Sequence, residues 1–257
     1  MNKRFLLIAV LMLASISAFA QAQFSIYAGG AFPMGNFKAG ELKDKYPEKW
    51  ALINEKGTQG YAGIGFNIGA DVLIPISAVD GLGIIIGADY FYNGYNSELK
   101  DFFSYYEDQL DKEDDSYTLK KPRIMNIPVM GGVRYLYDVN DGFGLFAEAG
   151  VGLNLRMITK YKLEEEYENI YGYTIEKEYE QKYDSSIDFS FKIGAGIMLA
   201  DHFSIGLDYY SLGSSKVKAK WTNKYTYEDG SSDETDGKFK SKELSCSELV
   251  LRIGYHF

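Results

Sequence analysis

The residues that could do chemistry in this chain are charged, and they recur at matched positions. Asp71, Asp89, Arg134, Glu148, Lys192, Asp208 and Arg252 each lie a few residues in from a short turn, roughly 10 to 24 Å along an extended strand. Arg156, Asp188 and Glu248 fall on the same side of their segments as these. Carboxylates and cations held at similar depths can neutralise one another, so the chemistry they suggest is a structural charge network. Nucleophilic catalysis is poorly provided for: only His202 and His256 occur, one in a short turn and the other beside the last residue. Neither has the companion constellation that activates a nucleophile, so no enzyme is expected. The acidic stretches KLEEEYE (162–168) and EDGSSDETDG (228–237) could attract calcium, but the second lacks the order and spacing of an EF-hand loop. Both read as solvated loops, and neither a metal nor a cofactor is expected. The single cysteine, Cys246, excludes an internal disulfide and reads as a packed thiol.

The elements that must position these charges are strands. Eight segments alternate with period 2, at about 23–32, 60–75, 82–94, 123–137, 143–158, 186–199, 203–219 and 244–257. Short connections (77–81, 138–142 and 200–202) take turns with long polar ones (about 33–59, 95–122, 159–185 and 220–243). An antiparallel meander puts the turns at one end and the long loops at the other. The stretches TIEKEYE (174–180) and KVKAKW (216–221) keep alternating, so the last two long loops should rise as hairpins. In SELKDFFSYYEDQL (97–110), Leu99, Phe102, Phe103, Tyr106 and Leu110 have helical spacing, with Ser97 as the expected cap.

The two faces of each strand differ sharply. One carries Ala62, Ile64, Phe66, Ile68, Ala70, Val72 and Ile74, or Ile187, Phe189, Phe191, Ile193, Ala195, Ile197 and Leu199. The other mixes glycine with charge, as in Gly63, Gly65, Asn67, Gly69 and Asp71. A soluble sandwich or barrel would turn the apolar face inward. Glycine on a solvent face, however, packs nothing and weakens the strand, whereas inside a narrow barrel it leaves room for large neighbours. Charges facing lipid at mid-membrane would cost about 2–4 kcal/mol for each Arg or Lys; inside a closed ring they pair. Aromatics at both ends of the apolar band (Tyr135, Tyr137, Phe143, Phe203, Tyr255 and Phe257; Tyr90, Tyr92 and Tyr209) suit two membrane interfaces.

These faces predict an all-β fold: an eight-stranded antiparallel up-and-down transmembrane β-barrel with short periplasmic turns and four long extracellular loops. If Tyr137 opposes Phe143, Arg134 is diagonal to Glu148; if Leu199 opposes Phe203, Lys192 is diagonal to Asp208, with Arg252 near Asp208 at matching depth. The start MNKRFLLIAVLMLASISAFAQAQ has the basic, apolar and small-residue parts of a signal peptide, giving a leader at 1–20 and one barrel domain at 21–257. The chain holds 27 Lys and Arg, with Lys3 and Arg4 in the leader, against 36 Asp and Glu; this balance argues against nucleic acid. An eight-stranded interior is filled by side chains, so a wide pore is not expected.

The stretches YAGGAFPMGNF and GIGFNIGADVLIPI resemble a first hairpin, and IMNIPVMGGVRYLY a central strand, of the outer-membrane β-barrel domain family, the small OmpA-like barrels of Bacteroidetes. The resemblance implies a Gram-negative cell outer membrane reached by export to the periplasm. It also implies a C-terminal sorting signal at Tyr255 and Phe257, read by the barrel-assembly machinery during insertion. The expected partners are outer-membrane lipid and lipopolysaccharide, and an extracellular protein or glycan at the loops, with the chain monomeric. A structural or surface-interaction role is the first reading. An accessory role in envelope assembly or type IX-like secretion is the second, and a lipid-modifying barrel enzyme a distant third.

Overall fold

The computed structural model describes residues 22–38, 60–112 and 116–257. The expected leader at 1–20 and most of the first long connection lie outside the described residues. The strands are β1 (Gln23–Pro33), β2 (Ala62–Pro75), β3 (Leu82–Tyr95), β4 (Ser116–Lys120), β5 (Ile124–Asn140) and β6 (Phe143–Ile158). They continue with β7 (Tyr161–Glu168), β8 (Thr174–Tyr183), β9 (Ser186–Leu199), β10 (Phe203–Tyr227) and β11 (Ser232–His256). Two helices interrupt them, α1 (Gly35–Lys38) and α2 (Ser97–Lys112).

Every pairing is antiparallel, and eight strands close on themselves in the order β1-β2-β3-β5-β6-β9-β10-β11. The last strand seals the ring against the first, from Ser25 opposite His256 to Pro33 opposite Glu248. Closure leaves the ring no free edge with unpaired backbone groups. The expectation of eight strands is corrected in number: eleven are described, and the extra three grow from the long connections. β8 pairs with the upper part of β10 (Ala219–Tyr227), β7 pairs with β8, and β4 pairs with β7. With the tops of β10 and β11 they form a five-stranded tower above one end of the ring. The two predicted hairpins are present, but KLEEEYE is a strand of the tower where a solvated loop was expected, and β11 begins within EDGSSDETDG.

Period 2 sorts the side chains. Ile64, Ile68, Val129, Leu153, Ile187, Phe189, Leu251 and Ile253 point outward and are exposed. Ala62 departs from the expected outward row: a register irregularity before Gly65, next to a left-handed Tyr61, turns it into the upper interior. That interior is apolar near the tower, where Phe37 of α1 meets Ala31, Phe91, Tyr210, Leu212, Leu244, Cys246 and Val250. The lone thiol is buried there, as expected of a packed cysteine. A second apolar cluster joins Leu99 and Phe103 of α2 to Tyr95, Tyr161 and Leu163, tying the tower's foot to β3. The cap of α2 is Asn96 and not Ser97: the Leu99 amide donates to Asn96 Oδ1 at 3.0 Å. The side chains of Phe102, Tyr106 and Leu110 lie outside the described residues.

Candidate functional site

The ring's interior positions carry all ten sequence-predicted charges, each no more than 8% exposed. Glu148 on β6 is the hub. Its Oε1 meets Arg252 Nη2 at 2.6 Å and Lys192 Nζ at 2.8 Å, and its Oε2 meets Arg134 Nη2 at 2.7 Å. Arg134 reaches on to Asp71 at 2.9 Å, and Arg252 to Asp208 at 2.7 Å. The belt therefore draws on β2, β5, β6, β9, β10 and β11, and each of its cations lies against at least one carboxylate. Rings line it: Arg252 lies 4.5 Å from the centroid of Tyr27, and Arg134 5.6 Å from that of Phe146. Asp89 is held without a cation, accepting from Asn67 Nδ2 at 3.1 Å and the Tyr210 hydroxyl at 3.3 Å.

Of the three expected pairs, Arg134–Glu148 and Arg252–Asp208 form and Lys192–Asp208 does not. Arg134 lies directly opposite Glu148 and not diagonal to it, because a two-residue turn sets Asn140 opposite Phe143 and a bulge at Val139 then sets Tyr137 opposite Leu145. Lys192 goes to Glu148 and forms no ion pair with Asp208, although Leu199 does oppose Phe203. Gly194 explains the geometry: a Cβ there would lie 1.7 Å from Asp208 Oδ1, so glycine is what lets the carboxylate lie flat against β9.

Above the belt, Glu248 accepts from Asn93 Nδ2 at 3.1 Å, and Asn154 Nδ2 donates to Asn126 Oδ1 at 2.9 Å. Higher still, Arg156 pairs with Asp188 at 3.3 Å and donates to the carbonyls of Gly213 and Leu244. The left-handed Gly213 sits at a register shift of β10 and aims its carbonyl inward. Sequence reasoning missed the layer below the belt. There His256 is buried between Ser25 and Ser204, with Nδ1 and Nε2 each 2.9 Å from a hydroxyl. The clue was available in its even-numbered place beside Gly254 and Arg252. With both ring nitrogens occupied by serines and no carboxylate bonded to it, the histidine acts as a polar stopper.

At the level of the belt the described side chains fill the interior. The space bounded by Tyr27, Asp71, Asp89 and Lys192 has a volume of about 10 Å³, room for one water. The purified protein in a planar bilayer should therefore give no resolved conductance steps. A stable open level would mean that the belt does not block the lumen.

The tower has its own chemistry. Tyr161, Leu163, Tyr179 and Trp221 share its inner side, with Tyr179 stacked on Trp221 at 6.5 Å between centroids. Its outer side sets Glu164 opposite Glu178, both reached by Lys162 at 2.6 and 2.8 Å. Burial raises the Glu180 carboxyl's pKa, but Lys160 and Lys182 outweigh it and hold the group below the usual carboxylate range. Among the described residues no three acidic, histidine or cysteine side chains are grouped to hold a metal.

A closed ring with outward apolar rows and an inward charge belt is the anatomy of a barrel that lives in lipid. The family described as outer membrane protein beta-barrel domain matches residues 6–257. The chain belongs to this family. Its place is the outer membrane. No curated protein matches it. Among solved structures it is similar to a major outer membrane protein of Thermus thermophilus, at 12% identity and TM-score 0.39, covering 92% of this chain and 100% of that one. Neisserial surface protein A matches at 9% identity and TM-score 0.39, over 91% and 95%. The attachment invasion locus protein of Yersinia pestis matches at 16% identity and TM-score 0.35, over 92% and 99%.

Proposed function

We propose that this family member is a non-enzymatic surface-interaction protein. In this reading the eight-strand ring spans the outer membrane with its short turns in the periplasm, and the tower stands outside as the contact surface for an extracellular protein or glycan. The observation that carries it is the division of labour along β10 and β11. Their lower parts carry Leu207, Leu251 and Ile253 toward lipid, while the same strands continue beyond the ring as a paired, charged sheet. A filled lumen offers no route for transport, which leaves the tower as the working surface. The ten interior charges are then structural, and Tyr255 with Phe257 serve as the sorting signal. Phe257, 64% exposed, packs edge-on against Tyr255 at 4.9 Å.

Intact cells treated with protease should lose the tower, with cuts near Ile170–Tyr173 and Asp229–Ser231, while the ring stays protected. The folded protein should also migrate differently on gels before and after boiling. Cuts appearing only after the outer membrane is broken would reverse the orientation.

A further inference from the structure

Just above the apolar band, the outer side of the wall turns basic. Lys216, Lys218, Lys220, Lys238 and Lys240 are all exposed, and none lies within ion-pair distance of a carboxylate among the described residues. The register puts Lys218 directly opposite Lys240 and Lys220 directly opposite Lys238. Like charges facing each other across a strand pair repel, so the protein alone gains nothing from this arrangement. Three exposed carboxylates border the patch: Glu243 directly opposite Lys216, Asp184 in the lining of the groove below, and Asp236 two residues before Lys238; against five lysines they leave it positive in a chain of net charge −9. Lys216, Lys218 and Lys240 also line a groove of about 430 Å³, whose floor includes Ser185 and Ser215. That size suits a headgroup.

The height of the patch identifies its occupant. From Phe203, at the turn end of β10, Lys216 lies about 43 Å along the strand, roughly 33 Å in height at a tilt of about 40°. The apolar band of such a barrel is about 25 Å tall, so Lys216 stands about 8 Å above it, at the level of lipid headgroups, with Lys218 and Lys240 about 5 Å higher. By the same reckoning Phe189 on β9 is 64% exposed at the upper edge of the apolar band, and Ile187, 70% exposed, stands just above it, next to the groove residue Ser186. Acyl chains on the isoleucine and phenylalanine, with phosphate among the lysines, would satisfy both surfaces with one molecule. We infer that this groove is a binding site for a phosphorylated lipid of the leaflet on the tower side, of the lipid A type, held through its phosphates. The inference deepens the proposed function and rests on the ring spanning the membrane.

The test uses the full chain, folded in detergent, with native mass spectrometry reading how much lipid is retained. Bisphosphorylated lipid A should be retained at least about tenfold better than its dephosphorylated form. The triple variant K216Q/K218Q/K240Q should fall to the dephosphorylated level, while K224Q, higher on the same strand, should match the unaltered protein. An unchanged gel shift on boiling shows that the triple variant still folds. Equal retention by the triple variant and the unaltered protein would overturn the site, and full displacement by millimolar inorganic phosphate would overturn its assignment to lipid. Micelles have no inside or outside, so these results stand apart from the protease experiment, which alone reports the orientation of the tower.

Discussion

Replacing Glu148 with alanine is expected to lower the stability of the folded barrel by about 3–5 kcal/mol, the usual consequence of removing one partner from a buried charge cluster. The reason lies in the count of cations on this carboxylate: Arg134, Lys192 and Arg252 all lie within 2.8 Å of it. Without it, Arg134 keeps only Asp71 and Arg252 only Asp208, while Lys192 is left with no carboxylate in contact. None of the three can turn to water, since their side chains are no more than 4% exposed. Urea unfolding in lipid vesicles, followed by the gel shift of the folded form, measures the change. A midpoint equal to that of the unaltered protein would mean that the belt contributes nothing to holding the ring closed.

The second expectation separates two adjacent residues. Arg252 is buried in the lumen and Leu251 is 52% exposed on the lipid side. Leu251→Arg puts the same guanidinium one position away, about 15 Å in height from the chain's end and close to the middle of the apolar band. A loss of about 2–4 kcal/mol is expected, measured by the same unfolding assay. Ser245→Arg, on the same outward side but above the band, should cost no more than about 1 kcal/mol. If the two substitutions cost the same, the outward rows of β11 do not face hydrocarbon.

The ring was legible because its residues obey one rule for long stretches. Alternation over Phe143–Ile158 or Ser186–Leu199 fixes the strand and its two faces together, and a charge among glycines can only be the inner one. What escaped depended on the chain leaving that rule for a residue or two. The two-residue turn at Asp141 and Gly142 and the one-residue bulge at Val139 together move the register by two, and no alternation pattern reveals either at the end of a strand. Lys192 illustrates a second limit: depth along a strand brings it near both Glu148 and Asp208, and the choice depends on which neighbouring strand leaves space. β4 escaped because SYTLK is five residues long and stable only when paired with β7. Asn96 displaced Ser97 as a cap because both are good cap residues one position apart, and the end of β3 decides where the helix begins.

β10 and β11 belong to both the ring and the tower, and this gives the molecule a mechanical character. A pull on the hairpin tip at Asp229 travels down two strands of 25 residues each, past the register shifts beside Gly213 and Val217, without leaving the paired sheet. It arrives along the strand axes at the seams with β9 and β1, which run from Phe203 to Ser211 and from Ser25 to Pro33. Load in that direction shears a row of backbone hydrogen bonds together and does not peel them one at a time. A partner gripping the tower therefore pulls on the whole wall of the barrel, with the closing strand as the tether.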